Sequence, residues 1–231
     1  MSRVEHVFTK QEELIEALTQ SIVTNLQEAI KEKGKASLLV SGGSTPKPLF
    51  EKLRKVSLEW EKVTIGLCDE RWVSSTHQDS NEQLIKTTLL QEEASRATFV
   101  GMYQEGLEAK EAEALCSEQM KASLFPFDIV VLGMGGDAHT ASLFPNNERL
   151  EEAYNMSSEA FCIAIEPTTA PHTRMSLNLK AILSASYCYL HFEGKEKQAV
   201  YQEAINGDDR YAMPIRSVLN QESKEIEVYY R

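Results

Sequence analysis

The sequence predicts an α/β fold: a single Rossmann-like domain with a mainly parallel open sheet and helices on both faces. Three observations lead there. Strand-length apolar runs alternate with segments of helical periodicity. Two of these runs end in glycine-rich turns, Ser41-Gly42-Gly43-Ser44-Thr45-Pro46 and Gly133-Met134-Gly135-Gly136-Asp137-Ala138-His139, which suits strands arriving at the carboxyl edge of an open sheet. Finally, the 231 residues are 42% hydrophobic and are divided by no repeat, low-complexity stretch or Pro/Gly/Ser-rich linker, so residues 1–231 read as one large domain.

Each element has its own signal. Residues 11–32 set Leu14, Ile15, Leu18, Ile22, Val23 and Leu26 on one helical stripe. Ala36–Val40 is an unbroken apolar run, a buried strand, and 46–55 is a helix with proline in its first turn. Residues 63–68 form another strand, and 81–90 and 107–124 form helices, the second acidic on its outer side. The strand 128–132 feeds the second glycine turn. Later strands fall at 161–165, Arg174–Leu177 and 186–192, and their short connections make antiparallel additions to the sheet an open alternative. A helix at Lys195–Ile205, a short one at 215–220 and a strand at 225–229 close the chain.

Composition narrows the function. A net charge of -11 argues against nucleic acid or an anionic membrane as the main partner, yet a few local cations can still hold a phosphate. Cys68, Cys116, Cys162 and Cys188 are far apart and form no Cys-x-x-Cys pair, which favours free thiols in a reducing compartment. The charged first residues lack the apolar core of a signal peptide. No apolar run approaches the ~18 residues of a spanning helix. The expected location is the cytoplasm.

Four constellations carry possible chemistry. In Ser41-Gly42-Gly43-Ser44-Thr45, glycines admit close backbone approach, while a helix start and hydroxyls offer donors that suit a phosphate. The spacing is neither a P-loop nor a nucleophile elbow, and a plain turn with Thr45 as helix cap fits equally well. In Asp69-Glu70-Arg71-Trp72-Val73, three charges follow a strand; Arg71 could neutralise a phosphate or an oxyanion, or join a surface salt bridge. Asp137 and His139 could converge in a turn entering a helix, the carboxylate fixing the imidazole tautomer and raising its basicity. Alternatively Asp137 caps a short helix stopped by Pro145, leaving His139 structural; zinc is poorly supported because no further His/Cys cluster accompanies the pair. In Gly194-Lys195-Glu196-Lys197 either lysine could reach a phosphate or be solvated, and Arg174 is a further anion contact or salt-bridge partner. His6, His77, His172 and His191 read as structural or surface residues.

Taken together these motifs resemble the 6-phosphogluconolactonase family. The match rests on Ser-Gly-Gly-Ser-Thr-Pro at 41–46, Asp-Glu-Arg-Trp-Val at 69–73 and the block at 133–145, with weaker matches at Arg174-Met175-Ser176-Leu177 and Gly194-x-x-Lys197. They occur in family order across most of the chain. The related glucosamine-6-phosphate deaminases resemble Asp-Glu-Tyr at 69–71, and their glutamate falls where this chain has Phe144. The usual glycine between Asp and His is Ala138 here, and alanine penalises a positive φ.

The resemblance implies hydrolysis of 6-phosphoglucono-1,5-lactone to 6-phosphogluconate in the oxidative pentose phosphate pathway. His139 would act as general base, Asp137 would orient it, and Arg71 would serve the oxyanion or the phosphate. Ser41, Gly42, Gly43, Ser44 and Thr45 with Lys197, and less directly Arg174, would hold the 6-phosphate. No metal or organic cofactor is implied, the partner is a small phosphorylated sugar lactone, and oligomeric state is not legible. A sugar-phosphate isomerase or deaminase and a non-catalytic sugar-phosphate sensor are the rivals. The second would need an appended DNA-binding module, and no basic helix-turn-helix segment is visible.

Overall fold

The computed structural model describes residues 3–231. In chain order the elements are β1 (Arg3–Val7), α1 (Gln11–Lys33), β2 (Ala36–Val40), α2 (Lys47–Leu53), β3 (Val63–Leu67), β4 (Asp69–Arg71), α3 (Asn81–Thr88), β5 (Thr98–Val100), α4 (Ala109–Leu124), β6 (Ile129–Leu132), α5 (Leu150–Ala153), β7 (Cys162–Ile165), β8 (Arg174–Leu177), α6 (Leu179–Leu183), β9 (Tyr187–Phe192), α7 (Lys195–Ile205), α8 (Arg216–Leu219) and β10 (Ile226–Tyr230). Seven strands form one sheet in the order β1-β10-β9-β6-β2-β3-β5, parallel throughout. A three-stranded antiparallel sheet, β4-β8-β7, branches from the end of β3. The antiparallel alternative therefore holds for 161–165 and Arg174–Leu177, whereas 186–192 and 225–229 join the parallel sheet.

Helices cover both faces. Asn25 and Ser21 of α1 bond the hydroxyls of Tyr189 and Tyr229, so α1 lies on the face carrying those tyrosines. On the opposite face Gly66 of β3 is bare because Leu124 of α4 packs directly over it. Covered on both sides, β2 is buried along its whole length, which is why its sequence is continuously apolar rather than alternating. Helix ends follow local chemistry. α1 stops at Gly34, whose φ of +75° carries its N–H back to Ile30 O. α3 starts at Ser80, whose side chain accepts from Gln83 N. α4 begins with a reciprocal capping box between Glu108 and Glu111. Among the described residues no helix is long and apolar enough to cross a membrane.

The topology picks out one place on this sheet. From β2 the chain moves outward to β3 and β5, then returns across β2 to β6 and continues the other way to β9 and β10. β2 and β6 are neighbours, with Val40 beside Val131, so the connections leaving their carboxyl ends run in opposite directions. That reversal opens the crevice in which open α/β sheets bind ligands.

Candidate active site

A cavity of about 240 Å³ opens at this crevice. Its first wall is the loop after β2. Ser41 N still bonds Val131 O at 3.0 Å, and then the chain leaves the ladder. Gly42 passes against Asn81 so closely that a Cβ there would sit 1.9 Å from Asn81 Oδ1. The backbone N–H groups of Gly42, Gly43, Ser44 and Thr45 find no protein acceptor among the described residues. Four adjacent donors of this kind suit an anion. Thr45 is not the helix cap: Pro46 occupies that position with no side-chain cap bond, and Thr45 lines the cavity instead.

The second wall comes from β4. Glu70 is fully buried and accepts four hydrogen bonds, from the backbone N of Arg71, Asn81 and Glu82 and from Ser80 Oγ, at 2.7, 2.7, 2.8 and 3.0 Å. It thereby ties the start of α3 to β4. Burial pushes its carboxyl above the ordinary value while those bonds pull the other way. Asp69 is buried too and accepts from Ser142 Oγ at 2.6 Å. Neither carboxylate pairs with Arg71, so the salt-bridge alternative for this stretch fails. Arg71 instead donates from Nη1 to Asp79 O at 2.6 Å and lines the cavity. Its cross-strand partner is Arg174, which is buried and lies 5.9 Å from the centre of the Phe144 ring. Burial, then the Arg71 charge, push the Arg174 pKa below its ordinary value.

The turn after β6 supplies the imidazole. No helix forms between Gly133 and Pro145, contrary to both alternatives drawn for Asp137. Asp137 Oδ1 instead accepts from both His139 N, at 3.1 Å, and His139 Nδ1, at 2.5 Å. Burial raises the Asp137 pKa, but the hydrogen bond and charge of His139 outweigh it, and the net shift is downward. An ionised carboxylate only accepts, so Nδ1 carries the proton of the neutral ring and Nε2 is left as the free base. Gly135 is required beneath the ring: a Cβ there would lie 2.2 Å from His139 Nδ1. Phe144 packs against the imidazole at 4.6 Å between centroids, its ring tilted by 31°.

The last wall is the end of β9 and the start of α7. Lys197 lines the cavity and Lys195 is exposed, which separates the two lysines. Burial lowers the Lys197 pKa, opposed by the charge of Glu193. His191, expected to be structural or at the surface, is buried and lines the cavity.

Of the residues singled out in the sequence, Ser41, Gly42, Gly43, Ser44, Thr45, Arg71, His139 and Lys197 share this one cavity. Asp137 stands behind His139, and Arg174 lies beside Arg71 without lining the space. Sequence reasoning missed Asn81 and His191, both on the cavity wall. The clue for His191 was alternation: Tyr187, Tyr189 and His191 place polar-tipped rings on one face of β9. His6 pairs with Glu227, and His77 and His172 flank Asp79, away from the cavity wall. The four cysteines are free and buried. Among the described residues no cluster of three or more His, Cys, Asp or Glu is arranged to hold a metal.

Residues 9–228 match the family model of glucosamine-6-phosphate isomerases/6-phosphogluconolactonase. The chain is 39% identical over 230 residues to a 6-phosphogluconolactonase of Rhizobium meliloti, covering 100% of this chain and 99% of that one. It is 40% identical over 215 residues to the 6-phosphogluconolactonase of Pseudomonas putida, covering 93% and 88%. A crystal structure of a 6-phosphogluconolactonase from Shewanella baltica superposes with a TM-score of 0.95 at 43% identity, covering 99% of this chain and 97% of that chain.

Proposed function

We propose, for a chain that belongs to the glucosamine-6-phosphate isomerase/6-phosphogluconolactonase family, that His139 activates the water in a lactone hydrolysis. The reaction is hydrolysis of 6-phosphogluconolactone, an ester hydrolysis. The supporting observation is the cavity itself, whose wall brings together a carboxylate-oriented imidazole, a loop of unpaired backbone N–H groups, Arg71 and Lys197.

His139 Nε2 takes a proton from water as the water oxygen attacks the carbonyl carbon of the 1,5-lactone. The tetrahedral oxyanion collapses, the bond from that carbon to the ring oxygen breaks, and the same imidazolium protonates the departing oxygen. Asp137, held ionised by its contact with His139, stabilises the imidazolium and fixes the ring. The 41–45 loop and Lys197 bind the 6-phosphate. Arg71, with Arg174 beside it, supplies positive potential for the anionic groups of the reaction. Binding at the remote phosphate then holds the carbonyl in position for attack. The lactone carbonyl is itself electrophilic, so the chemistry calls for neither a redox cofactor nor an electron sink. Phe144 packs on His139 where the resemblance places the deaminase glutamate, so a carbon-to-carbon proton shuttle lacks its carboxylate. This reading carries with it a cytoplasmic location.

The test is acid release from freshly prepared lactone, with spontaneous hydrolysis subtracted. His139→Asn is expected to lose about 10²- to 10⁴-fold in kcat; full retained activity removes His139 as the base. Lys197→Ala is expected to raise KM roughly tenfold or more with a smaller change in kcat. An unchanged KM sinks its phosphate role.

A further inference from the structure

His191 has no part in the chemistry above, yet its setting is unusual. It is 3% exposed and forms part of the cavity wall. Neither ring nitrogen makes a hydrogen bond within the protein; Nε2 lies 3.4 Å from Glu193 Oε1, an ion-pair distance without hydrogen-bond alignment. A buried polar group left in this way is costly to the folded state. The topology explains how the ring reaches the cavity. β6 pairs with β9 only as far as Leu132 beside Leu190, after which β6 departs at Gly133. One position further along, His191 is flanked by Tyr229 of β10 on one side and by the cavity where β6 has left the sheet. Its ring shares that wall with Lys197 of α7 and with the loop of unpaired N–H groups.

We propose that His191 is a substrate-recognition residue: its imidazole N–H donates to a phosphate oxygen alongside Lys197, and so selects the phosphorylated over the unphosphorylated lactone. The proposal rests on the reading that the 41–45 loop and Lys197 hold the phosphate. Glu193 backs the ring. It accepts from Gln11 Nε2 and from Arg231 Nε, and its contact with His191 leads the effects that, against burial, hold its pKa down to about 2. With Glu193 beside Nε2, the bound ring gives one N–H of an imidazolium to that carboxylate and the other, from Nδ1, to the phosphate, and the carboxylate fixes the plane of the ring.

The experiment compares kcat/KM for 6-phosphogluconolactone with that for gluconolactone lacking the phosphate, in the wild type, His191→Phe, His191→Gln and Lys197→Ala. The ratio of the two is expected to fall tenfold or more in His191→Phe, which keeps a ring but no donor, and to recover in part in His191→Gln, which keeps one. A purely structural His191 would lower both values in parallel, and an unmoved ratio overturns the proposal. If Lys197→Ala lowers the ratio and His191→Phe does not, only this inference fails. If Lys197→Ala leaves it unmoved, the phosphate reading itself is wrong. Should the His191 variants not fold, ¹⁵N-imidazole resonances of the wild type titrated with inorganic phosphate decide the matter. Saturable movement of the His191 signals supports the contact, and unmoved signals overturn it.

Discussion

Ala138 sits at a φ of +67°, fully buried, its carbonyl accepting from Ile215 N at 3.0 Å. The left-handed region costs a non-glycine residue roughly 1–2 kcal/mol. The Asp137–His139 contact nonetheless closes at 2.5 Å, so the turn tolerates alanine and retains its strain. Ala138→Gly relieves that strain but loses a buried methyl worth about 0.8 kcal/mol and adds about 0.4–1 kcal/mol of unfolded-state entropy. The two sides nearly cancel. Urea melts are expected to place Ala138→Gly within about 1 kcal/mol of the wild type, whereas Ala138→Val, β-branched and overpacked, should cost about 3 kcal/mol or more. A Val variant as stable as the wild type would contradict the strained turn. The Asp137–His139 contact of this turn was legible because the two residues are neighbours in sequence. His191 was not: it read as structural or surface, and although alternation sets it on one face with Tyr187 and Tyr189, whether that face meets a cavity depends on where a different strand ends. Asn81 was hidden for the same reason, since its contact with Gly42 spans two elements that only the fold brings together.

Among the elements, those with strong periodicity or an uninterrupted apolar run were legible, and Ala36–Val40, Arg174–Leu177 and Lys195–Ile205 agree to the residue. Three short strands were not foreseen. β1 has the charged sequence RVEHV and is held only along one edge, by β10. β4 and β5 have three residues each, too few for a pattern, and β4 consists wholly of charged side chains. What makes β4 possible is Glu70, whose buried carboxylate replaces water for two backbone N–H groups and a hydroxyl at the head of α3 and for the N–H of Arg71 in β4. An amide in its place offers one accepting oxygen and turns an N–H₂ toward donors. Glu70→Gln is therefore expected to lower stability by about 2–4 kcal/mol. It should also reduce kcat/KM, because Arg71 and Asn81 lie on the two elements that Glu70 joins. Guanidinium melts with assays of the same samples would check both. A loss of activity at full stability would mean that Glu70 acts on the site by a route other than this tie.

At the scale of the whole molecule, a net charge of -11 coexists with a cavity lined by Arg71 and Lys197, with Arg174 beside Arg71, so a few cations set the local sign against the overall charge. The switch point that localises this site follows from strand order, which no local pattern encodes. The glycine turns marked two of its walls, but that β2 and β6 are neighbours became visible only in the fold. Glu193 joins the same edge to distant parts of the chain: Gln11 at the start of α1, Arg231 at the last position, and His191 in β9. Its pKa falls from an ordinary 4.5 to about 2 in the folded protein, so the folded state binds the proton more weakly than the unfolded chain. The resulting stabilisation is fully present above about pH 4.5 and is lost as pH falls through about 2. At roughly 1.4 kcal/mol per pH unit the interval corresponds to about 3 kcal/mol, and screening on the solvent-facing Arg231 side reduces this to about 1–2 kcal/mol. Urea denaturation of the wild type and Glu193→Gln at pH 7, 5, 4 and 3 should show that gap at neutral pH and its narrowing below pH 4.5. A gap that stays constant across the series would mean that Glu193 contributes through hydrogen-bond geometry alone, and that its charge does not hold the end of β9 to α1 and the chain terminus.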